Sequence, residues 1–395
     1  MKGMRPLIAV PSICAWLLVA SGVGLPLSSR QDGKPSADAL VFFGTYTGEK
    51  SRGIYVSRLD LSSGALTTPQ LAAETPSPSY LAVHPNARFV YAANEVSRFH
   101  GKDTGSVSAF AVDGESGTLE PLNQHASGGD GPAHLIVDKS GRHVLVANYG
   151  GGSVAVLPIG ADGSLKPASV VVQHTGSSVD PKRQTKPYAH SINLDPANRF
   201  AYAADLGLDK VLIYRFNADT GSLTANEPAY VTVEAGAGPR HLAIHPDRPF
   251  AYVINEMAMT ITAFRRNAES GALSAVQTVS TLPEGQTVQS GFSTADVQVH
   301  PSGKFLYGSN RGHDSIVSFA IDQQSGKLTY IEHRATQGHT PRAFGIDPTG
   351  TYLLAANQRS DSVVVFRIDK QTGRLTPTPH TVNIGSPVCV KFIAP

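Results

Sequence analysis

Short runs of β-branched, aromatic and small residues alternate along the chain with polar turns rich in Gly, Pro, Asn and Asp, and no stretch sustains a long helical period. That pattern predicts many short strands. A polar turn ending in Gly-x-Leu occurs seven times, with its glycine at Gly64, Gly117, Gly163, Gly221, Gly271, Gly326 and Gly373, about 51 residues apart on average. Each supplies a Gly where a hairpin loop requires positive φ. A second marker lies between these turns: an extended segment ending in His-Pro or Asp-Pro, a short polar turn, then an apolar strand ending in Asn. Its copies start at His84, Asp138 (followed by Lys139 instead of Pro), Asp195, His245, His300 and Asp347, and ten residues after each come Asn94, Asn148, Asp205, Asn255, Asn310 and Asn357. The fixed interval predicts a hairpin in every unit.

Four strands per unit, with seven turn copies but only six complete markers, imply that the seventh unit is divided between the chain ends. Residues 386–394 read as its first strand, and residues 41–46 and 54–59 as its second and third. Pairing of 386–394 beside 41–46 would close a ring and remove the exposed sheet edges that an open array would leave. The expected fold is therefore all-β, a seven-bladed β-propeller with four antiparallel strands per blade. Its last blade is closed by the N- and C-terminal strands, and the domain covers residues 39–395.

Composition supports a turn-rich folded body: 38 Gly, 27 Pro and only 16% charged residues among 395. The net charge of +2, with 33 scattered Lys and Arg, excludes a nucleic-acid binder. Residues 1–38 differ from the rest. Lys2 and Arg5 precede an apolar stretch, residues 7–27, interrupted by Pro11, Ser12, Ser21 and Gly22 and followed by small and polar residues. This is the pattern of a secretory leader, with a retained membrane anchor as its rival. The expectation is an exported protein, periplasmic or extracellular, with no stable membrane insertion once the leader is removed. Cys14 lies in the leader, so Cys389 stands alone in the mature chain and no intramolecular disulfide can form.

A residue type present in every unit is a structural peg; one found in a single unit needs another reason. The recurrent His or Asp and the Asn ten later suit side chains that hydrogen-bond nearby backbone. Five residues before each marker the sequence instead varies: Ser79, Ala133, His190, Arg240, Ala295 and Arg342. Eleven after, it varies again: Glu95, Tyr149, Leu206, Glu256, Arg311 and Gln358. In an antiparallel hairpin these two positions share one end, so they ring one mouth of the central channel. That mouth collects His190, Arg240, Glu256, Arg311 and Arg342, an anion site with a built-in acid/base or, on the plainer reading, a set of inter-blade ion pairs. His134 and His241, one residue further along, are expected to face the other side of their strands. The run Asn148 to Ser153 offers backbone N–H groups for an anionic oxygen unless it is only a tight loop, and residues 175–187 carry Lys182, Arg183 and Lys186 as a basic lid or a solvated loop. Gly-x-Ser-x-Gly, His-Glu-x-x-His, phosphate-loop and Cys-cluster motifs are absent from the sequence.

At Gly238-Pro239-Arg240-His241-Leu242-Ala243-Ile244-His245-Pro246 and Asn255-Glu256 the chain resembles the propeller lactonase family, which contains the cycloisomerase-type 6-phosphogluconolactonases and the fungal carboxy-muconate lactonizing enzymes. The likeness covers residues 41–395. It implies the seven-bladed fold, chemistry on a lactone ring, a small lactone or carboxylate substrate, and no required metal or cofactor. The His, two Arg and Glu proposed for the muconate branch match His190, Arg240, Arg311 and Glu256. For the hydrolytic branch the resemblance implies His190 or Glu256 as the base that activates water, or else a protonated His190 as general acid for the departing ring oxygen, with Arg240 and Arg311 stabilising the oxyanion. Arg342 then holds a substrate carboxylate or phosphate, and Asn148, Tyr149 and Asn255 are further candidate substrate contacts. Sugar-lactone hydrolysis is the expected activity. A muconate-type lactonizing reaction and a non-catalytic exported binding platform are its rivals. The leader departs from a cytosolic phosphogluconolactonase and admits a non-phosphorylated aldonolactone as substrate.

Overall fold

The computed structural model describes residues 38–395. The leader reading and Cys14 fall outside the described residues. The described chain forms seven four-stranded antiparallel sheets arranged as blades of a propeller. Each inner strand lies beside the inner strands of its two neighbours. They are Pro387–Ile393, Pro78–Val83, Pro132–Val137, Ala189–Leu194, Pro239–Ile244, Ser293–Val299 and Pro341–Ile346, in blades 1 to 7. Blade 1 is closed as expected: Pro387–Ile393 pairs antiparallel with Asp38–Thr45, from Leu40 opposite Ile393 to Thr45 opposite Pro387. Among the described residues no helix is long and apolar enough to cross a membrane.

The repeated residues tie the ring together. All seven Gly-x-Leu glycines have positive φ, from +72° at Gly221 to +83° at Gly163. They are also too close to the preceding blade for a side chain: a Cβ on Gly326 would lie 2.5 Å from the Phe250 ring. The carbonyls of Gly163, Gly271, Gly326 and Gly373 accept hydrogen bonds from the buried tyrosines Tyr91, Tyr202, Tyr252 and Tyr307 of the preceding blade. Tyr352 closes the circle by donating to Ser62 O in blade 1. The marker histidines act similarly: His84, His245 and His300 place Nε2 2.9 Å from Gly141, Gly303 and Gly350 carbonyls in the next blade. Asp138, Asp195 and Asp347 instead fold their own turns by accepting backbone N–H bonds. The strand-end Asn residues are pegs, illustrated by Asn310 donating to Thr281 O and Ser315 Oγ. Between blades, buried Leu, Val, Ile, Phe and Tyr form the separate core layers.

One irregularity positions the site. Six inner strands skip one residue in pairing with their neighbours: Pro387 then Cys389, Pro78 then Tyr80, Pro132 then His134, Ala189 then Ser191, Pro239 then His241, Pro341 then Ala343. Blade 6 skips from Thr294 to Val297. The skipped residues are Val388, Ser79, Ala133, His190, Arg240 and Arg342, with Ala295 in the wider bulge. A β-bulge leaves its extra residue unpaired and re-aims its side chain. The variable position of every unit is thus a bulge at one end of the channel.

Candidate active site

Glu256 follows the second strand of blade 5, Phe250–Asn255, and its backbone N–H is fixed by Gly238 O at 2.7 Å. Arg240 rises from the bulge beside it and donates Nε to Glu256 Oε2 at 3.0 Å. Arg311, which ends the second strand of blade 6, Phe305–Arg311, brings Nη2 to 3.1 Å from the same oxygen. His190, from the bulge of blade 4, places Nε2 3.9 Å from Oε2, beyond hydrogen-bonding reach. Three blades thus converge on one carboxylate. A fourth contact comes from outside the repeat: Arg183 donates Nη2 to Glu256 Oε1 at 2.6 Å.

Arg183 is carried by a strap, residues 174–187, between blades 3 and 4. Asp180 Oδ1 accepts the N–H groups of Lys182 and Arg183, both at 2.8 Å, making a tight turn. Fully buried Gln184 pins it by donating to Leu206 O and accepting from Asp180 N. Ser178 Oγ reaches Asp209 Oδ2 at 2.6 Å, and Asp209 also holds the N–H groups of Gly236 and Gly238 at the entrance to the Arg240 strand. Strap and strand therefore share one anchor.

The electrostatics divide the labour. Burial works to raise the pKa of Glu256, but Arg311, Arg240 and Arg183 outweigh it and hold the carboxyl at about 2. Burial, then repulsion from Arg240, His241 and Arg342, drives His190 well below the usual histidine range. His190 is neutral at pH 7, and its Nδ1 is buried without a hydrogen-bond partner. The ring meets Tyr149 edge-on at 4.9 Å between centroids. Burial and the neighbouring guanidiniums Arg342 and Arg311 also pull Arg240 downward, yet a guanidinium remains protonated. Within the described residues, Arg240 Nη2 and Arg311 Nη1 bond no protein group, whereas Arg240 Nη1 is fixed by Ala295 O at 2.6 Å and Arg311 Nη2 by Thr294 O at 2.8 Å. Two anchored guanidiniums thus offer donors to a guest. A carboxylate surrounded by three guanidiniums is a poor donor set for a cation.

Arg342 belongs to the same mouth but to a different network. It donates Nη2 to Tyr46 OH at 2.7 Å and lies over that ring, 5.2 Å from its centroid, while Tyr46 OH donates to Glu95 Oε2 at 2.8 Å. Tyr46 occupies in blade 1 the place that Glu95, Tyr149, Glu256 and Arg311 hold in theirs. It falls outside the marker series because the inner and second strands of blade 1 come from opposite chain ends. Its signal was the offset alone: Tyr46 directly follows the second strand, Asp38–Thr45.

Three sequence expectations need restating. His241 does not turn away from the mouth: the bulge at Arg240 breaks strand alternation, so His241 Nε2 meets Arg240 Nη1 at 3.1 Å and its ring meets His190 edge-on at 5.3 Å. The 148–153 loop is not an anion cradle. The N–H groups of Tyr149, Gly151 and Gly152 are taken by Gly131 O, Asp130 O and Asn148 O, which leaves a tight turn. Asn148 and Asn255 keep their side chains inside their own sheets and adjoining turns. Asn148 bonds Ser127 O and Ser153, and Asn255 bonds Thr260 and Thr262. Tyr149 is at the mouth, against His190, with its hydroxyl 3.4 Å from Arg183 Nη2.

Comparison with known proteins gives a concordant picture. The family model described as Lactonase, 7-bladed beta-propeller, matches residues 40–392. The 6-phosphogluconolactonase of Bacillus subtilis (strain 168) is 39% identical over 352 residues, covering 89% of this chain and 97% of that protein. The 6-phosphogluconolactonase of Formosa agariphila is 34% identical, covering 78% of this chain and 86% of that one. Among solved structures, the periplasmic gluconolactonase of Pseudomonas aeruginosa superposes with a TM-score of 0.84 at 36% identity, covering 90% of this chain and 99% of that one.

Proposed function

The chain belongs to the seven-bladed β-propeller lactonase family, and from that membership we propose that it hydrolyses a sugar 1,5-lactone, gluconolactone or its 6-phosphate, to the open acid at the Glu256 mouth. The observation that carries this reading is a threefold-paired carboxylate beside a neutral imidazole, with Arg240 and Arg311 both anchored on that carboxylate. Glu256, held at about pKa 2, is a weak base. Neutral His190 keeps a lone pair that no cation ties up, whereas both Glu256 oxygens are held by guanidiniums, so His190 is placed to accept the proton. Water attacks the lactone carbonyl carbon as its proton passes to His190, and the carbonyl oxygen takes negative charge against Arg240 and Arg311. The imidazolium so formed lies 3.9 Å from the Glu256 carboxylate, which stabilises it. Collapse breaks the bond from the carbonyl carbon to the ring oxygen, and His190 returns its proton to that oxygen. One water is consumed and the free acid is released.

Charge balance speaks to the substrate. Among the described residues Arg183, Arg240, Arg311 and Arg342 face Glu95 and Glu256, and Asp296 also attracts Arg240, a surplus of one positive charge. That surplus favours the phosphorylated lactone over the neutral one. We further propose that the leader and linker, residues 1–38, direct export. The leader pattern supports this, and a periplasmic relative is consistent with it. The decisive assay measures acid release from both lactones by the mature protein, after subtraction of spontaneous opening. Rates for His190→Ala and Arg240→Ala equal to wild type would sink the assignment. N-terminal sequencing of the protein from fractionated cells tests export, which fails if the cytoplasmic, unprocessed chain predominates.

A further inference from the structure

Beyond His241 the central channel widens into a cavity of about 460 Å³, on the side away from the Glu256 mouth. His241 forms the partition between the two. Its Nε2 meets Arg240 Nη1 at 3.1 Å, and its Nδ1 meets Asp296 Oδ1 at 3.0 Å. Burial first, then Arg240, holds the His241 pKa down at about 4, so the ring is neutral, with Nδ1–H donating to Asp296. The polar walls beyond it are Tyr80, His134, Asn193, Asp296, Gln298 and Lys391, within an apolar collar that includes Ile244, Val299 and Ile346.

Lys391 is the unusual member. Among the described residues its one hydrogen bond joins Nζ to Tyr80 OH at 3.2 Å, and Nζ sits 4.4 Å from the centre of that ring. Asp296 acts on it through space but is already engaged: Oδ1 accepts from His241 and Val297 N, and Oδ2 accepts from Gln298. Burial works against the charge on Lys391, but the pKa is raised, with Asp296 as the anion that favours the ammonium at pH 7 and Tyr80 and Cys389 adding to it only in strongly alkaline solution. Two of its three donors therefore lack a protein acceptor. Asn193 Nδ2, which lines the same cavity, is buried with no hydrogen-bond partner. His134 Nδ1 accepts from Ile192 N at 3.4 Å, which leaves Nε2–H as a further donor. An ammonium without a paired anion and an orphaned amide donor in one recess are costly unless something fills them.

We propose that this cavity is a second binding site, separate from the Glu256 mouth, that takes a small hydroxylated carboxylate. The carboxylate accepts from Lys391 and Asn193, and a hydroxyl donates to Asp296 Oδ2. The site stands on its own walls and does not require the lactonase reading. Gluconate is the probe, added to the mature protein and followed by calorimetric titration. Arg240→Ala, which disables the mouth, retains saturable binding. Lys391→Met and Asn193→Leu weaken it at least about tenfold, Lys391→Arg restores most of it, and lactone opening by all three stays within about twofold of wild type. Circular dichroism confirms folding of each, and Asn193→Leu serves alone if Lys391→Met unfolds. Loss of all binding in Arg240→Ala with wild-type affinity in Lys391→Met or Asn193→Leu overturns the proposal. So does the absence of saturable binding to the wild-type protein at tens of millimolar gluconate.

Discussion

Replacing Glu256 by Gln separates the two roles the site assigns to its acid and base. The substitution keeps size and hydrogen-bonding capacity but removes the charge 3.9 Å from His190 Nε2. At that distance, with an effective dielectric constant of about 20 to 40 for an open mouth, the imidazolium–carboxylate attraction is about 2 to 4 kcal/mol. His190 carries its positive charge only after taking the proton from water, so this energy is absent from the ground state and present in the transition state. The expected loss is therefore in kcat, about 30- to 1000-fold, with KM changed much less. The pH profile gives a second readout. With His190 already below its ordinary pKa, wild-type kcat/KM is flat from pH 8 to 6.5 and falls only in more acid solution. Removing the carboxylate disfavours imidazolium further, so the acid limb moves to lower pH. A continuous proton-release assay on gluconolactone, with the spontaneous rate subtracted, measures both. A Glu256→Gln enzyme within about threefold of wild-type kcat would refute the role given to this carboxylate, as would an acid limb displaced upward.

Other consequences are independent of that experiment. The depressed pKa of Glu256 contributes stability that is fully present above its ordinary value of 4.5 and is lost as pH falls through about 2, an effect of about 3 kcal/mol. Thermal melts between pH 5 and 2 should fall more steeply for wild type than for Glu256→Gln. Gly326→Ala forces a side chain into φ +75° and against the Phe250 ring at 2.5 Å; a cost of about 2 to 4 kcal/mol should appear as a lowered Tm. Arg183→Ala, at a side chain 45% exposed, should change stability by no more than about 1 kcal/mol. It should nevertheless raise KM for the phosphorylated lactone several-fold more than for gluconolactone, and equal effects on both would remove Arg183 from substrate recognition. Tyr46→Phe frees Arg342 from its 2.7 Å contact and should raise KM with kcat nearly constant.

The fold was legible because its ties repeat. A glycine that must adopt positive φ beneath a neighbouring ring, and an Asn that pegs a strand end, recur in nearly every blade and leave a period in the sequence. The gathering of Arg240, Glu256 and Arg311 was legible for the converse reason, since each breaks that period at a position the hairpin sends to one mouth. What the period does not carry is less legible. Arg183 is readable only as one of three cations on the 175–187 segment, because that connection lies outside both repeated markers and nothing in the repeat singles it out as the partner of Glu256. Tyr46 lies in the one blade whose inner strand is supplied by the far end of the chain. His241 touches Arg240 and His190 as well as the far cavity because strand alternation is a rule for regular pairing, and the bulge that breaks it here leaves no mark in residue type.

The bulge also explains how one repeat supports both a rigid ring and a varied mouth. Residues that hold blades together, such as Tyr252 on Gly326 O and His245 on Gly303 O, lie on or beside regularly paired strands, away from the mouth. The bulged residue bonds no partner strand, so exchanging Ala133 for Arg240 at equivalent places leaves the ladder unchanged. What such an exchange does change is electrostatic. A guanidinium only 2% exposed needs an anion, and Glu256 sits in the same blade, at the end of the adjoining strand, where the hairpin register brings it within 3.0 Å. The pairing of Arg240 with Glu256 is therefore a requirement of burial before it is a catalytic device. Catalysis arises where blades 4 and 6 add His190 and Arg311 to a carboxylate that blade 5 had to place there in any case.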